Sequence, residues 1–273
     1  MARVPTVISI AGSDSSGGDG VQADLKAFAR VGVHGMTAIT AITAQNTVGV
    51  EIVEAVSPRT IVAQVRMVAD DIGIDAVKIG MLGRVETVEA VVESLGYAGE
   101  APVVLDPVMI AESGAILLDD DARKLCVEKL LPLATVVTPN IPEARVLTRS
   151  GEDASQADLA KAVVALGPRA AVVTGGHSEE VVDYFFDGEE VTPIRGPRYA
   201  EGASHGSGCT HSASLAALLA LGHDLLSAAE KAREITSEAV GNGLRDIGKG
   251  PGPVDVFGLA DSAGRMRRPQ SAK

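Results

Sequence analysis

The sequence predicts an α/β fold, a three-layer sandwich whose mostly parallel central sheet is covered by helices on both faces, with a small antiparallel hairpin at one edge. Three observations carry this. Short apolar runs alternate with helical segments along nearly the whole chain. Most of those runs end in a polar or glycine-rich loop. One segment departs from the pattern: Val181–Phe186 and Val191–Ile194 flank Asp187 and Gly188, the spacing of a hairpin added to an edge.

Taken in order, Val7–Ile10 reads as a buried strand feeding loop 11–20, which holds four glycines. A helix follows from about Val21 to Val31, with Leu25, Phe28 and Ala29 on one face. Further strands are predicted at Gly35–Ala41, Ile52–Ala55, Ala76–Ile79, Val103–Leu105, Thr135–Thr138 and Ala170–Thr174. Helices are predicted at 58–72, 84–95, 119–130, 141–149, 155–166, 207–221 and 225–245. Neither a repeat nor a long linker interrupts this order, so residues 1–259 are expected to form a single domain, with 260–273 a flexible tail.

Composition narrows the function. A formal net charge of −12 argues against nucleic acid or an anionic membrane as partner. The longest apolar runs fall short of the ~20 residues a membrane span needs. The chain has two cysteines, too few for a disulfide framework, which fits a reducing compartment and a cytoplasmic protein. Cys126 sits among leucines and reads as core.

In sheets of this class, ligands bind beyond the carboxyl ends of the strands. That rule gathers loops 11–20, 43–50, 80–83, 106–115, 139–143, 174–178 and 203–209 on one rim. The most informative is "ASHGSGCT" at 203–210, a glycine loop running into an Ala/Leu-rich helix. A helix start exposes unpaired amides and the positive end of its dipole, so Gly206, Gly208 and Cys209 form a candidate anion cradle suited to nucleotide phosphates. A thiol in that first turn is expected to ionise more readily than in water. Close packing of small residues accounts for the stretch equally well.

Other rim residues have two readings each. Asp24 can accept bonds from a ligand or stabilise a helix first turn. Gln45, Asn46 and Thr47 can pair with a heteroaromatic ring edge or tie their own turn. Asp106 and Glu143 can hold Mg²⁺ beside phosphates, while Asn140 and Glu143 also fit a capping box. Lys249 can neutralise a phosphate or stand solvated. His205, Cys209 and His211 cluster in sequence without zinc-ligand spacing.

Together the runs "ISIAGSDSSGGDGVQADLKAFARVGVHG", "TAITAQNTVGV", "AVKIGML", "LDPVM", "VTPNIPEA", "TGGH" and "HGSGCTHSASLAALLALG" resemble the hydroxymethylpyrimidine/phosphomethylpyrimidine kinases, thiamine-biosynthesis members of the ribokinase-like superfamily. The resemblance runs from about Thr6 to Val254. It implies a ribokinase-like sandwich, commonly a homodimer, that uses ATP and Mg²⁺. The implied reaction phosphorylates 4-amino-5-hydroxymethyl-2-methylpyrimidine and then its monophosphate. Gly12, Asp24, Gln45 and Met81 match pyrimidine-pocket positions, and Asp106 and Glu143 the metal and phosphate region. Asn140, Thr174, Gly176 and Lys249 fall on the nucleotide side, and Gly206, Gly208 and Cys209 match the anion hole and the residue facing the acceptor hydroxyl. Thr174 stands where many relatives have Lys, and Pro251 where a His is common, which bears on ATP affinity. A pyridoxal kinase of the same superfamily is the nearest alternative reading. A pyrimidine sensor without turnover is the alternative from another class.

Overall fold

The computed structural model describes residues 3–109, 117–176, 181–199 and 203–260. Residues 110–116 of the expected 106–115 loop region, His177 and residue 178 of the expected 174–178 loop, and residues 261–273 of the expected tail lie outside the described residues. The strands are β1 (Thr6–Asp14), β2 (His34–Asn46), β3 (Gly49–Ala55), β4 (Ala76–Ile79), β5 (Val103–Leu105), β6 (Val136–Val137), β7 (Ala170–Val173), β8 (Val182–Phe186) and β9 (Val191–Arg195). They form one nine-stranded sheet in the order β3-β2-β1-β4-β5-β6-β7-β8-β9. Strands β2, β1, β4, β5, β6 and β7 run parallel, while β3, β8 and β9 pair antiparallel to their neighbours.

Alternation along each strand divides the core into two layers. Ile8, Ile10, Val77, Ile79, Val103 and Leu105 face α2 (Pro58–Asp71), α3 (Val85–Leu95), α4 (Asp120–Leu125), α5 (Ile141–Thr148) and α6 (Gln156–Val164). Val7, Ala76, Val104, Ala170 and Val172 face α1 (Gly20–Val31), α7 (Ser207–Ala220) and α8 (Leu225–Gly241). Every residue from Cys209 to Leu218 of α7 is buried, so this helix is apolar around most of its circumference and lies inside the protein.

The structure departs from the sequence expectations in four places. Strand β2 continues to Asn46 and turns directly into β3, adding an antiparallel pair at the edge opposite β8–β9. The helix expected at 119–130 is α4 followed by a π turn at Cys126–Leu130 and a 3-10 turn at Leu131–Leu133, where the missing amide and ring of Pro132 stop regular continuation. The last long helix ends at Gly241, four residues short of 245. Helix α1 buries Val21, Ala27 and Phe28, whereas Leu25 is exposed; the buried face also carries a carboxylate, Asp24, which disguised its position.

The chain passes from β1 to β2 on one side and later returns to β4 on the other. The carboxyl end of β1 is therefore the switch point at which open α/β sheets form a crevice. Loop 11–20 leaves the sheet there.

Candidate active site

Parallel register sets the floor of this crevice. Ser9 on β1 pairs with Lys78 on β4, so both side chains project toward α1 and α7. Asp24 projects back from α1. Lys78 Nζ lies 2.9 Å from Asp24 Oδ1 and 3.0 Å from Oδ2, and Ser9 Oγ donates to Oδ2 at 2.5 Å. All three side chains are fully buried. Burial works to lower the Lys78 ammonium, but Asp24, Cys209 and Asp106 outweigh it and hold Lys78 well above the usual lysine range. Burial pushes the Asp24 carboxyl up, opposed chiefly by Lys78. Opposite charges this close favour the doubly ionised pair.

Asp106 follows β5 on the same face, accepts a bond from Ser212 Oγ at 2.9 Å, and is pushed up to about 6 by burial against the pull of Lys78. Asn140 and Glu143 form the capping box at the start of α5: the Asn140 side chain accepts from the Glu143 amide, and Glu143 Oε2 accepts from the Asn140 amide. Glu143 Oε1 also takes the Met109 amide at 3.3 Å. Burial, and then the Asp106 charge, push Glu143 up to about 7. Two buried carboxylates, one raised by the charge of the other, are a donor pair that a divalent cation would relieve. Among the described residues no group of three or more His, Cys, Asp or Glu is arranged to hold a metal alone. Such an ion would need phosphate and water to complete its shell, the usual habit of Mg²⁺.

Above this floor, α7 begins at Gly206, whose φ of +81° and contact with the Gly18 carbonyl oxygen leave no room for a side chain. The cap has no side-chain partner, so the first-turn amides are not satisfied from that side. A side chain at Gly208 would begin 4.0 Å from Asp106 Oδ2, which brings the helix start over the carboxylate. Cys209 is buried in that turn. The expectation of an easily ionised thiol is overturned: burial, then Asp19, Asp24 and Asp106, raise Cys209 well above the ordinary thiol value despite Lys78. Desolvation and three carboxylates outweigh one helix terminus.

The remaining candidates divide. Gly12 and Met81 meet across β1 and β4, where a Cβ at Gly12 would lie 3.2 Å from Met81 Sδ. Gln45 caps the crevice from the β2–β3 hairpin, its main chain bonded to Ser15 Oγ through both N and O. Asn46 and Thr47 take the turn role: Asn46 Oδ1 accepts the Val48 and Gly49 amides, and Thr47 Oγ1 accepts those of Lys249 and Gly250. Asp24 is fully buried against Lys78 and presents no surface to a ligand in this conformation. Asn140 and Thr174 are bridged at the ends of β6 and β7. A Cβ at Gly176 would meet nothing within 4 Å, whereas one at Gly175 would strike the Val182 carbonyl; the close approach belongs to the first glycine of the pair. Lys249 is exposed and its main chain is held at the β2–β3 turn. Strand β2 lies four strand spacings from β6, on the order of 19 Å, so Lys249 is not brought together with Asn140 and Thr174.

Sequence reasoning missed Lys78, Ser9 and Ser212, and weighed His205 only as a zinc ligand. The signal for Lys78 was available: a charged residue inside the four-residue apolar strand Ala76–Ile79 must be paired if buried.

An open helix start standing over buried carboxylates at the rim of a mostly parallel sheet is the arrangement of a small-molecule phosphotransferase of the ribokinase-like class. The chain belongs to the phosphomethylpyrimidine kinase family, whose model matches residues 14–255. It is 46% identical over 256 residues to a hydroxymethylpyrimidine/phosphomethylpyrimidine kinase of Rhizobium meliloti, covering 92% of this chain and 96% of that one. Among solved structures, a Bacillus subtilis pyridoxal kinase in complex with ADP superposes with a TM-score of 0.86 at 36% identity, covering 94% of this chain and 99% of that chain. A Clostridium difficile phosphomethylpyrimidine kinase superposes with a TM-score of 0.77 at 37% identity, covering 87% and 100%.

Two outcomes test this electrostatic arrangement. Lys78→Met strands a buried carboxylate and should cost about 3–5 kcal/mol, while adding Asp24→Asn should recover most of it; thermal unfolding of the three proteins reads this, and an unchanged Tm for Lys78→Met would refute the pair. A carboxyl raised in the folded state binds more protons folded than unfolded, so its contribution to stability falls as pH rises from its unfolded value through its folded one. For Glu143 that window runs from 4.5 to about 7. Metal-free Glu143→Gln should therefore gain on the wild type by roughly 2–3 kcal/mol between pH 4.5 and 8, seen as a difference in the slopes of stability against pH.

Proposed function

We propose that this chain transfers the γ-phosphoryl group of ATP to 4-amino-5-hydroxymethyl-2-methylpyrimidine and then to its monophosphate. The observation that carries this reading is the gathering of the α7 start, Asp106, Glu143 and the Gly12–Met81 contact on the rim beyond the carboxyl ends of the strands, where Gly208 stands over Asp106 and the Asp106 charge reaches Glu143. In phosphoryl transfer the protein chiefly positions the reactants and stabilises spread-out negative charge. The amides of Gly208 and Cys209 would supply that stabilisation, with Lys78 as fixed positive charge beneath them. Asp106 and Glu143 would hold Mg²⁺, which supplies charge neutralisation to the phosphates when bound. ATP use fits the ADP and AMP-PCP complexes described for the pyridoxal kinase relatives. Asn140 and Thr174 would border the nucleotide.

A neutral Cys209 thiol changes the expected proton path. A loose transition state asks little of a base until late, so Cys209 serves mainly to shape the turn that carries the amides. We also infer a homodimer in the cytoplasm. Support for the dimer is the exposed apolar side chains Ile42 and Ile52, which share one face of the β2–β3 edge pair; support for the compartment is the thiamine-biosynthesis role named for two relatives. Pyridoxal phosphorylation is the second reading, favoured by the higher TM-score of the pyridoxal kinase structures.

The test is ADP release with the pyrimidine alcohol and with pyridoxal side by side, with mono- and diphosphate products resolved. Turnover of the alcohol to the diphosphate is expected, and turnover of pyridoxal alone would overturn the assignment. Cys209→Ala should slow both phosphorylations by similar factors, within about threefold of each other. A loss confined to the first step would show that the thiol takes the proton after all.

A further inference from the structure

Outside the Lys78 cluster the rim carries a second buried pair that the reaction as described does not use. Asp14, at the end of β1, is 2% exposed, and His205, just before α7, is 5% exposed. They are 191 residues apart in sequence and meet through His205 Nε2 and Asp14 Oδ2 at 3.2 Å. Asp14 is also the hub of its own loop. Its Oδ1 accepts the Ser16 amide at 2.8 Å, and its Oδ2 accepts Ser16 Oγ at 2.7 Å, the Gly18 amide at 3.1 Å and the Asp19 amide at 2.8 Å. Burial alone would raise this carboxyl, but His205, Ser16 and Asp19 hold it down to about 2. An ionised carboxylate only accepts, so His205 Nε2 carries the proton in this contact.

The contact is reinforced by shape. The His205 ring packs against Gly18, where a Cβ would collide with His205 Cδ2 and stand 3.2 Å from Pro253 Cβ. Gly206 in turn seats against the Gly18 carbonyl oxygen. The main chain of His205 is fixed from the other side by a parallel bridge to Pro253: its amide donates to Gly252 O at 3.2 Å, and its carbonyl accepts the Val254 amide at 3.1 Å. Loop 14–20 and the turn that opens α7 are thereby interlocked, and the amides of Gly208 and Cys209 begin three residues beyond the lock.

We propose that Asp14 and His205 are positioning residues for phosphoryl transfer: the pair clamps the loop at the crevice to the α7 turn, so that the acceptor and the phosphate-binding amides share one rigid frame. This rests on the kinase reading above. Neither side chain touches the reacting atoms. Their effect comes through the direction of the amides, where a displacement of about 1 Å can cost a factor of 10² in rate.

The test compares His205→Gln, which keeps a donor near the Nε2 position, with His205→Leu, which keeps bulk against Gly18 but has no donor, and with Asp14→Asn. All are assayed in the full chain for kcat and KM of both phosphorylations and for Tm. His205→Leu is expected to lower kcat in both steps by roughly 30–100-fold with KM for the pyrimidine within about threefold, and His205→Gln to recover at least about tenfold of that loss. Asp14→Asn combined with His205→Leu is expected to be little worse than His205→Leu alone. A folded His205→Leu enzyme with kcat within twofold of wild type, equal losses for Leu and Gln, or multiplicative losses in the double variant would each overturn the proposal. If His205→Leu does not fold, Asp14→Asn decides in its place: a kcat loss of tenfold or more at unchanged KM supports the clamp, and wild-type kcat refutes it. Absence of turnover in the wild type would instead overturn the kinase reading and leave the clamp's effect on Tm measurable.

Discussion

The constraint on which the rest depends is a single buried ammonium. Lys78 stands where Asp24, Asp106 and the Cys209 turn converge, in a region otherwise crowded with acceptors. Without that charge, the carboxylates on this face would repel one another in a medium too poor in water to screen them. With it, the Asp24 carboxyl has a cation to oppose the upward push of burial, Asp106 rises only to about 6, and the cleft keeps a local positive site within a chain of net charge −12. A protein so acidic draws phosphates in through local devices, and here these are one buried lysine and the start of α7.

The sheet supplies the geometry. Reversal of strand order at β1 opens a crevice, the parallel register places Ser9 beside Lys78, and alternation sends both toward the layer containing α1 and α7. Because α7 is buried for most of its length, its start cannot drift outward to be hydrated, and Gly206 packed on Gly18 fixes the angle at which it enters. Packing, rather than loop chemistry, thus decides where the unpaired amides point.

Much of the framework could be read from sequence because parallel strands buried on both faces leave continuous apolar runs such as Val103–Leu105. The β2–β3 hairpin could not, since the exposed residues of β3 lack a buried face and the Gln45-Asn46-Thr47 turn reads equally well as a ligand contact. Asp24 was legible as a carboxylate at a helix start, but α1 begins at Gly20 and has no acid in its first turn, so Asp24 stands past the dipole's reach, and its partner lies 54 residues away on β4. Cys209 shows the opposite limit. Its helix-start position is local and legible, whereas the desolvation and the three carboxylates that reverse the expected shift come from distant segments. The capping box of Asn140 and Glu143 shows that a local motif and a site residue can coincide, because the box leaves Glu143 buried beside Asp106.

The most direct measurement is a crystal structure of the protein with a non-hydrolysable ATP analogue, Mg²⁺ and the pyrimidine alcohol. The account places γ-phosphate oxygens within hydrogen-bond distance of the Gly208 and Cys209 amides, with the hydroxymethyl group beside them and the metal against Asp106 or Glu143. A γ-phosphate bound elsewhere on the rim, with those two amides left to water, would contradict it.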